Sequence, residues 1–568
     1  MRPAESVARF RSSALLRRLP WALLSLPVLQ GFWYVHCYGV NVPWTDQWND
    51  LALLFEKWFA GTLRFGDFWF QHNEHQCLVP RMLMFALGLL TGWNTVAEMY
   101  VTQIVLAMLL LIFVRFFLRD CPARGRLWLM LPIGFLVFSL RQSDNLLWGW
   151  QLAFVLVAAG AVASLACLAL LNHPGRQTLK YLGALWFATI AMFSSAQGLM
   201  VWPVGLLPLL LAPLGKKSKT LLIAGWLVAA VIECRVYFHD YVKTSAQLKL
   251  AFSFQYFATI IGGALFQWID VAIAAGVVLF LLSAAVLVLV YQEHQWRRHS
   301  FWLAVLLLGL LVQVQVALGR SNYGPNQAIF SRYSTCSLLI VIAIYALLSN
   351  LGGKRLRRLI RGLWALALAI VVAGLIVSTV DGYRAGADKR ETREYWAFVI
   401  CTCDSQPDAI FDISESLQAP MIRRITSLLK EHRWSSFSSP DLVAKYTIPN
   451  PDLPELPVQA RVMFNDFGPD KDSLGLMTEG WVVDAAGKNL VGGVFLDVDG
   501  VLYPTYYGVS RNDALRTLRD KHLLCCGFIR CFPKTCFSTG RHRVTIRALS
   551  KDRTAFFQPS DPLYVDIR

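Results

Sequence analysis

Residues 40–76 combine acidic and imidazole side chains with many aromatic residues. The stretch reads VNVPWTDQWNDLALLFEKWFAGTLRFGDFWFQHNEHQ and lies between two long apolar segments. Carboxylates and imidazoles beside a lipid bilayer are costly unless they are paired or used in function. A carboxylate can serve as a general base, and two histidines three residues apart with a glutamate between them can contribute to a metal site. We therefore take this stretch as the main candidate for a functional site.

The individual residues of this stretch have structural as well as chemical explanations. Asp46 is as compatible with capping a helix that begins near Trp48 as it is with catalysis. Asp50 falls on the polar face of that helix, so we expect it to be solvated. For His72 and His75 we favour hydrogen bonding over metal binding, because a lone His-x-x-His pattern is weak evidence for a metal.

The composition is typical of a membrane protein. Hydrophobic residues make up 55% of the 568 residues. Charged residues make up only 16%, whereas soluble proteins contain about 25%. The formal net charge is +17, but the basic residues are concentrated in short loops between apolar runs. In that position they determine membrane topology, and we expect no nucleic acid as a partner.

Apolar runs of about 20 residues predict about eleven transmembrane helices, with the basic N-terminus in the cytoplasm and no cleaved signal peptide. Apolar residues at helical spacing in residues 48–59 predict a helix that lies along the membrane surface. Residues 80–90 are apolar but short, and we interpret them as a second surface or re-entrant helix. With this choice every basic cluster falls on the cytoplasmic side. The predicted spans are 19–38, 96–118, 127–140, 150–171, two that flank 194–198, 221–232, 271–291, 301–318, 335–348 and 363–380.

The composition changes after residue 380. Helical stretches at 384–400 and 420–432 precede a proline-rich linker at 448–454. Asp499-Gly500 between two apolar runs is a strong hairpin signal, and the residues that follow also read as strands. We therefore divide the chain into a transmembrane domain (1–380), a helical connector (381–447) and an extracytoplasmic all-β sandwich (455–568). Six cysteines in the C-terminal part are plausible disulfide partners if that part is outside the cytoplasm, and a zinc site is less favoured.

The predicted topology places a set of polar residues on the outer side of the membrane, where they would line a cavity that opens outward. Positively charged residues of membrane proteins are usually enriched on the cytoplasmic side, so arginines at the outer end are unexpected. We expect them to bind an anion there; the alternative is that they pair with Asp or Glu. Two arginines would hold a phosphate at the lipid–water boundary, while a carboxylate activates an acceptor hydroxyl. The set comprises Asp46, Asp50, His72, Glu74, His75, Gln142, Asp144, Asn145, Gln151, Gln197, Arg320, Asn322, Asn326, Arg332 and Tyr333.

This arrangement resembles the GT-C superfamily of integral-membrane glycosyltransferases. Its members use polyprenyl-phosphate-linked sugars and carry a catalytic Asp or Glu in the first extracytoplasmic loop. Asp46, in PWTDQW after the first predicted span, matches that position. The strings QHNEH, QSDNLLWGWQ, SSAQGLMVWPVG and GRSNYG…SRYS resemble those of a bacterial branch, over about residues 19–380. Many members have two adjacent acids, whereas Gln47 follows Asp46 here, so Glu74 would have to be the second acid.

The resemblance implies a multi-pass protein of the bacterial inner membrane. It would transfer a hexosyl or pentosyl group from a polyprenyl-phosphate donor to an extracytoplasmic glycan, lipid or protein. Asp46 would be the general base or would orient the acceptor, and Glu74 would assist or help to hold a divalent cation, if one is used. Arg320, Arg332 and Tyr333 would bind the lipid phosphate. The other residues expected to bind substrate are His72, Asn73, His75, Gln142, Asn145, Gln151 and Gln197.

Three other functions remain open. A transporter or flippase of lipid-linked saccharides would need polar residues inside several spans, and the predicted spans after residue 270 are almost purely apolar. A polysaccharide polymerase would use the outer arginines without requiring Asp46. A non-catalytic membrane scaffold that carries a binding module is the third.

Overall fold

The computed structural model describes residues 3–120, 124–172, 175–242, 252–351, 356–411, 418–469, 476–484, 486 and 488–567. Two compact units are present. The helical unit comprises Met1–Gly39, Leu63–Leu87 and Val96–Lys389, and the mixed unit comprises Val40–Thr62, Gly88–Thr95 and Arg390–Arg568. Part of the basic clusters that define the predicted orientation lies outside the described part of the chain, namely Lys354, Arg355 and the side chains of residues 1–18, Arg124 and Arg126.

The protein is mostly helical. The α-helices are α1 (Pro3–Tyr38), α2 (Asp46–Asn49), α3 (Leu51–Phe59), α4 (Leu78–Thr91), α5 (Thr95–Asp120), α6 (Leu131–Val137), α7 (Ser143–Leu147), α8 (Leu152–Ala169), α9 (Gln177–Met192), α10 (Val201–Leu211), α11 (Lys216–Tyr237), α12 (Phe254–Gly262), α13 (Ile269–Gln292), α14 (Ser300–Arg320), α15 (Pro325–Ala328), α16 (Ser334–Asn350), α17 (Arg357–Cys401), α18 (Ala419–His432), α19 (Pro440–Tyr446) and α20 (Asn512–Leu518).

Seven helices in the described ranges are long and apolar enough to cross a membrane, as expected of a membrane-associated protein. Two more apolar helices, Leu78–Thr91 and Ala196–Leu211, are shorter. Counted with the 3-10 turns at their ends, the seven are Thr95–Asp120, Gly149–Ala169, Lys216–Tyr237, Ile269–Gln292, Ser300–Tyr323, Ser331–Asn350 and Arg357–Cys401.

The described residues therefore contain fewer spanning helices than the roughly eleven expected from apolar runs. The run at 127–140 is broken into a 3-10 segment and α6, which has only seven residues. The two runs around 194–198 form α9 and α10, of 16 and 11 residues. Helix α1 is long, but Pro20, Pro27, Gln30 and His36 make it less apolar. Hydropathy identifies these runs of apolar residues but does not show where a helix begins and ends.

Within the helical unit, close helix packing depends on glycine. Helices α12 and α13 approach so closely that a Cβ atom at Gly276 would lie 1.8 Å from the carbonyl oxygen of Ala258. On the facing helix, a Cβ at Gly262 would lie 1.9 Å from the carbonyl oxygen of Ala272. These glycines place two apolar helices in backbone contact beside α14 and α16.

The predicted surface helix forms as α3, but its apolar face packs against protein. Leu51, Leu54 and Phe55 are buried. The Phe55 ring lies 4.9 Å from that of Trp93 and 5.2 Å from that of Trp434, all within the mixed unit. The helical spacing was therefore interpreted correctly. The apolar face packs against protein, and a position of α3 along the membrane surface stays a prediction.

The C-terminal part contains a β-sandwich, as predicted. Strands β1 (Gln71–His72) and β2 (His75–Gln76) form a separate hairpin in the helical unit. The strands of the sandwich are β3 (Glu455–Gln459), β4 (Arg461–Pro469), β5 (Leu476–Val483), β6 (Gly493–Val498), β7 (Val501–Pro504), β8 (Tyr506–Val509), β9 (Gly527–Phe532), β10 (Gly540–Leu549), β11 (Phe556–Gln558) and β12 (Leu563–Ile567). One sheet has the order β3-β11-β10-β6-β7 with β12 also paired to β10, and the other has the order β4-β5-β9-β8. Apart from the parallel pair β3–β11, neighbouring strands are antiparallel.

The two large sheets share one apolar core, to which Leu496 and Ile546 contribute from one sheet and Phe528 and Phe532 from the other. The predicted Asp499-Gly500 turn joins β6 to β7, and both residues have the positive φ values of such a hairpin. All eleven cysteines in the described ranges are free thiols, so the disulfides considered for the C-terminal part are not formed among them.

Candidate functional site

The short hairpin β1–β2 presents His72, Asn73, Glu74 and His75 within the helical unit. His72 is paired with His75 across the hairpin. Asn73 has a φ of 49°, a left-handed conformation that Asn tolerates in tight turns. Its side chain is exposed. The last turn of α11 anchors the hairpin, because the hydroxyl of Tyr237 accepts from the Gln76 N–H (3.1 Å) and donates to the Glu74 carbonyl (3.4 Å).

The Glu74 carboxylate forms an ion pair with Arg320, the last residue of α14. Arg320 Nη2 donates to Glu74 Oε2 at 2.6 Å, and both side chains are mostly buried. A charge-assisted hydrogen bond of this kind is stronger than a neutral one. His75 Nε2 lies 4.0 Å from the same carboxylate oxygen. The other oxygen, Oε1, accepts no hydrogen bond from any described residue.

His75 is held as a neutral imidazole in one tautomer. The backbone N–H of Ala196 donates to His75 Nδ1 (3.3 Å), so that nitrogen accepts and the proton lies on Nε2, facing Glu74. Ser195 Oγ lies 3.3 Å from the same Nδ1 and donates to Gln197 Oε1 at 3.2 Å. Burial, followed by the positive fields of nearby side chains (His72, Arg320 and Arg332), lowers the pKa of His75 to about 3. His75 is therefore uncharged at physiological pH.

Two further segments border the hairpin. The His72 ring lies 4.9 Å from the ring of Trp150, in the 3-10 turn Gly149–Gln151 that begins α8. Gln151 follows and is buried, and its Oε1 atom has no hydrogen-bond partner in the part of the chain that the structure describes. Gln315, on α14, donates to the carbonyl of Ala196 at 2.9 Å. Its Oε1 is likewise buried without a partner among the described residues.

Arg332 differs from Arg320 in its electrostatic partners. Its guanidinium carbon lies 5.3 Å from the ring centroid of Phe330 and 5.5 Å from that of Tyr333, which is itself buried. Within the described ranges Arg332 has no carboxylate within ion-pair distance, and its Nε is buried without a hydrogen-bond partner. The positive fields of Arg320 and Arg332 both help to lower the pKa of His75.

Asn145 and Gln142 connect the region of α7 to the start of α16. Asn145 Nδ2 donates to the carbonyl of Arg332 (3.0 Å) and to Thr335 Oγ1 (2.8 Å), and Thr335 Oγ1 donates to Gln142 Oε1 (2.7 Å). These bonds fix the backbone of Arg332. They give Gln142 a structural explanation, because its amide nitrogen also donates to the carbonyl of Val137 (2.7 Å).

Asp144 lies beside this group and is paired. Its carboxylate accepts hydrogen bonds from the hydroxyl of Ser331 and from the ammonium group of Lys389. Its backbone N–H donates to Ser331 Oγ at 3.1 Å. Lys389 neutralises this carboxylate, and Ser331 also holds it. Asp144 therefore connects α7 to α17 and to the turn before α16.

Asp46 and Asp50 belong to the mixed unit, whereas the other residues of the predicted set belong to the helical unit. Asp46 is the first residue of α2, and Thr45 occupies the N-cap position with a φ of 39° and no side-chain capping bond. The interpretation of Asp46 as a cap is therefore wrong, although an acid in the first turn does favour the helix dipole. Asp50, expected to be solvated, is fully buried at the junction of α2 and α3, because the chain bends there.

Ser195, Gln315 and Lys389 are contact residues of these groups that sequence reasoning did not select. The polar interruption SSAQG between two apolar runs is a signal for Ser195, and Gln315 is one of two glutamines inside a mainly apolar helix. No group of three or more His, Cys, Asp or Glu side chains among the described residues is arranged to hold a metal ion. No known protein family, curated protein or solved structure matches the chain.

Proposed function

We propose that the protein is an integral-membrane glycosyltransferase that moves a sugar from a polyprenyl-phosphate donor to an extracytoplasmic acceptor. The observation that carries this proposal is the cluster in the helical unit. It combines the Glu74 carboxylate, which has one oxygen without a partner among the described residues, with the neutral His75 and two arginines. Seven helices of membrane-spanning length support a lipid-linked substrate.

The charges of the cluster favour a phosphodiester donor over a diphosphate. Glu74 neutralises Arg320, and His75 carries no charge at physiological pH. Arg332 contributes one positive charge that no described carboxylate neutralises. A polyprenyl-phosphate sugar is a phosphodiester with one negative charge, so it matches Arg332. A diphosphate carries more charge, and binding it would require Arg320 to leave Glu74.

The proposed reaction is a displacement at the anomeric carbon of the sugar. The oxygen of an acceptor hydroxyl forms a bond to that carbon while the bond from the carbon to the phosphate oxygen breaks. The electron pair leaves with the phosphate, whose charge Arg332 stabilises. The proton of the hydroxyl passes to a carboxylate, and Glu74 Oε1 or the carboxylate of Asp46 takes this role. The geometry of the hairpin favours Glu74, whereas the resemblance to the GT-C superfamily favours Asp46.

Substitution of each carboxylate tests this proposal. Membranes that contain the protein would be supplied with a radiolabelled polyprenyl-phosphate hexose, and transfer to endogenous acceptors would be measured. Loss of a general base typically costs about 10²–10⁴-fold in rate, so we expect Glu74→Gln or Asp46→Asn to abolish detectable transfer. Glu56→Gln is the matched control, because Glu56 also pairs with an arginine, Arg424, but lies on α3. Full transfer in both acid variants would refute the catalytic assignment.

The orientation is also part of the proposal: the N-terminus lies in the cytoplasm of a bacterial cell, and the hairpin and the β-sandwich face the periplasm. Asn73 is suited to a test because its side chain is exposed. A cysteine at this position is expected to react with an impermeant thiol reagent in intact cells, whereas one at Lys217 is expected to be protected. The reverse pattern would overturn the orientation.

A flippase of the same lipid-linked sugar is the second candidate, and one observation favours it. Gln313 lies within the apolar helix Ser300–Tyr323 and is buried, and its Oε1 has no partner among the described residues. A polar group inside a span is typical of a substrate path. Translocation of the lipid-linked sugar across proteoliposomes that lack an acceptor would identify a flippase. Transfer without translocation would identify the glycosyltransferase.

A further inference from the structure

Three amide side chains in or beside the cluster share one feature. Asn145, Gln151 and Gln315 each have a buried side-chain oxygen that accepts no hydrogen bond from any residue in the described ranges. Asn145 and Gln151 are almost completely buried. Burying an acceptor without a donor is costly, so such an atom calls for a donor from water or from a bound ligand.

The orientation of two of these amides is determined by their other bonds. Asn145 Nδ2 donates to the carbonyl of Arg332, and Gln315 Nε2 donates to the carbonyl of Ala196. A carbonyl oxygen only accepts, so the nitrogen must be on that side and the oxygen on the other. The free atoms at these two positions are therefore acceptors. They require donors such as hydroxyl groups.

The three amides lie on elements that also carry the charged groups. Gln151 follows Trp150, against which the ring of His72 packs. Gln315 contacts Ala196, which donates to His75. Asn145 binds the backbone of Arg332. The 3-10 turn that contains Ala196 packs against both α14, which carries Gln315, and α8, which begins directly after Gln151.

We infer that these amides form a subsite that binds the hydroxyl groups of a neutral sugar, next to the arginine that takes the phosphate. The guanidinium of Arg332 donates, as a phosphate requires, whereas the three amide oxygens accept, as sugar hydroxyls require. The inference rests on the proposed function and deepens it, because it assigns recognition of the sugar separately from recognition of the phosphate.

Gln151→Met is the sharpest test, because the Gln151 side chain makes no hydrogen bond with the described residues. The substitution keeps the length of the side chain and removes its amide group. Binding of two probes to the detergent-solubilised protein would be measured by native mass spectrometry: bare polyprenyl phosphate and the same lipid carrying a neutral hexose. We expect the wild type to prefer the hexosyl lipid at least tenfold. Gln151→Met should reduce that preference about tenfold, with unchanged binding of the bare phosphate and a thermal stability at least equal to that of the wild type.

Gln103→Met is the matched control. Gln103 is also fully buried, with both amide atoms unpartnered in the described part, but it lies on α5 against Gly31 and Phe138. We expect it to keep the wild-type preference. If Gln151→Met does not fold, as judged by its thermal transition, the comparison is made with Gln315→Met.

The outcomes separate the inference from the proposed function. An unchanged preference in the folded Gln151→Met protein would overturn the subsite, and so would a wild type that binds both lipids equally. Neither result would contradict the glycosyltransferase proposal, which the transfer assay with Glu74→Gln tests separately. A wild type that binds neither lipid would overturn both.

Discussion

Arg81 provides a prediction that tests how the loop before the hairpin is held. Its side chain is fully buried, and its Nη1 donates to the backbone carbonyls of Phe68 (2.7 Å) and Phe70 (3.2 Å). The guanidinium carbon also lies 3.6 Å from the centroid of the Phe70 ring. Arg81 therefore connects α4 to the segment that leads directly into β1. We expect Arg81→Met to release this segment, because methionine fills the space but donates no hydrogen bond.

The expected size follows from these contacts. A hydrogen bond from a charged donor contributes about 1.5–3 kcal/mol, and a cation–π contact about 0.5–2 kcal/mol. Since methionine retains part of the packing on Phe70, we expect the free energy of local opening to fall by about 3–4 kcal/mol. Each 1.4 kcal/mol corresponds to a factor of ten, so amide exchange in residues 63–76 should accelerate roughly 10²–10³-fold.

Hydrogen–deuterium exchange with mass spectrometry on the solubilised full chain measures this effect. Arg81→Lys should give an intermediate acceleration, because lysine keeps the charge but lacks the planar fork. Arg119→Met is the control. Arg119 is also stacked on an aromatic ring, that of Phe116 at 4.4 Å, but it lies at the end of α5. Wild-type protection of residues 63–76 in Arg81→Met would show that the loop is held by other contacts.

Two further predictions concern packing and pH. Gly276→Ala should lower the stability of the solubilised protein by about 1–3 kcal/mol through its clash with Ala258, whereas Gly362→Ala, on an open face of α17, should be neutral or slightly stabilising. Equal thermal unfolding of these variants would contradict the packing argument. In the β-sandwich, hydrogen bonds to the Ser538 carbonyl and to Asp499 raise the pKa of His542. Its contribution to stability should be complete below about pH 6.5 and be lost as the pH rises through the folded pKa. Pulse proteolysis in urea should detect this loss in the wild type but not in His542→Gln.

Local signals in the sequence predicted local structure well. The Asp499-Gly500 turn forms because only a few residues tolerate two successive positive φ values, and both residue types are among them. The helical spacing of α3 was also sufficient to predict a helix. What covers its apolar face was not predictable, because Trp434 lies far along the chain and no local pattern marks it as the partner of Phe55.

The candidate site was predictable in its residue types but not in its pairings. The acidic and basic residues stand out against apolar runs, so Glu74 and Arg320 were both selected. Their ion pair joins residues 246 positions apart, and periodicity gives no information at that range. The same limit applies to His75, whose tautomer depends on the backbone N–H of Ala196, 121 residues away. A backbone donor leaves no signature in the side-chain sequence.

The pairings change which arginine is the better candidate for an anion. From the sequence alone, Arg320 and Arg332 are equally good candidates for anion binding. Arg320 ends α14 and Arg332 lies in the loop that follows, so both are expected on the same side of the apolar helices. In the structure Arg320 is occupied by Glu74, and releasing it would leave a mostly buried carboxylate without its counter-charge. Arg332 has no described carboxylate to lose, and Asn145 already fixes its backbone. An anion that binds to Arg332 therefore gains a charge-assisted contact without breaking an existing one. Charge neutralisation at Arg332 should accordingly weaken phosphate binding more than the same change at Arg320.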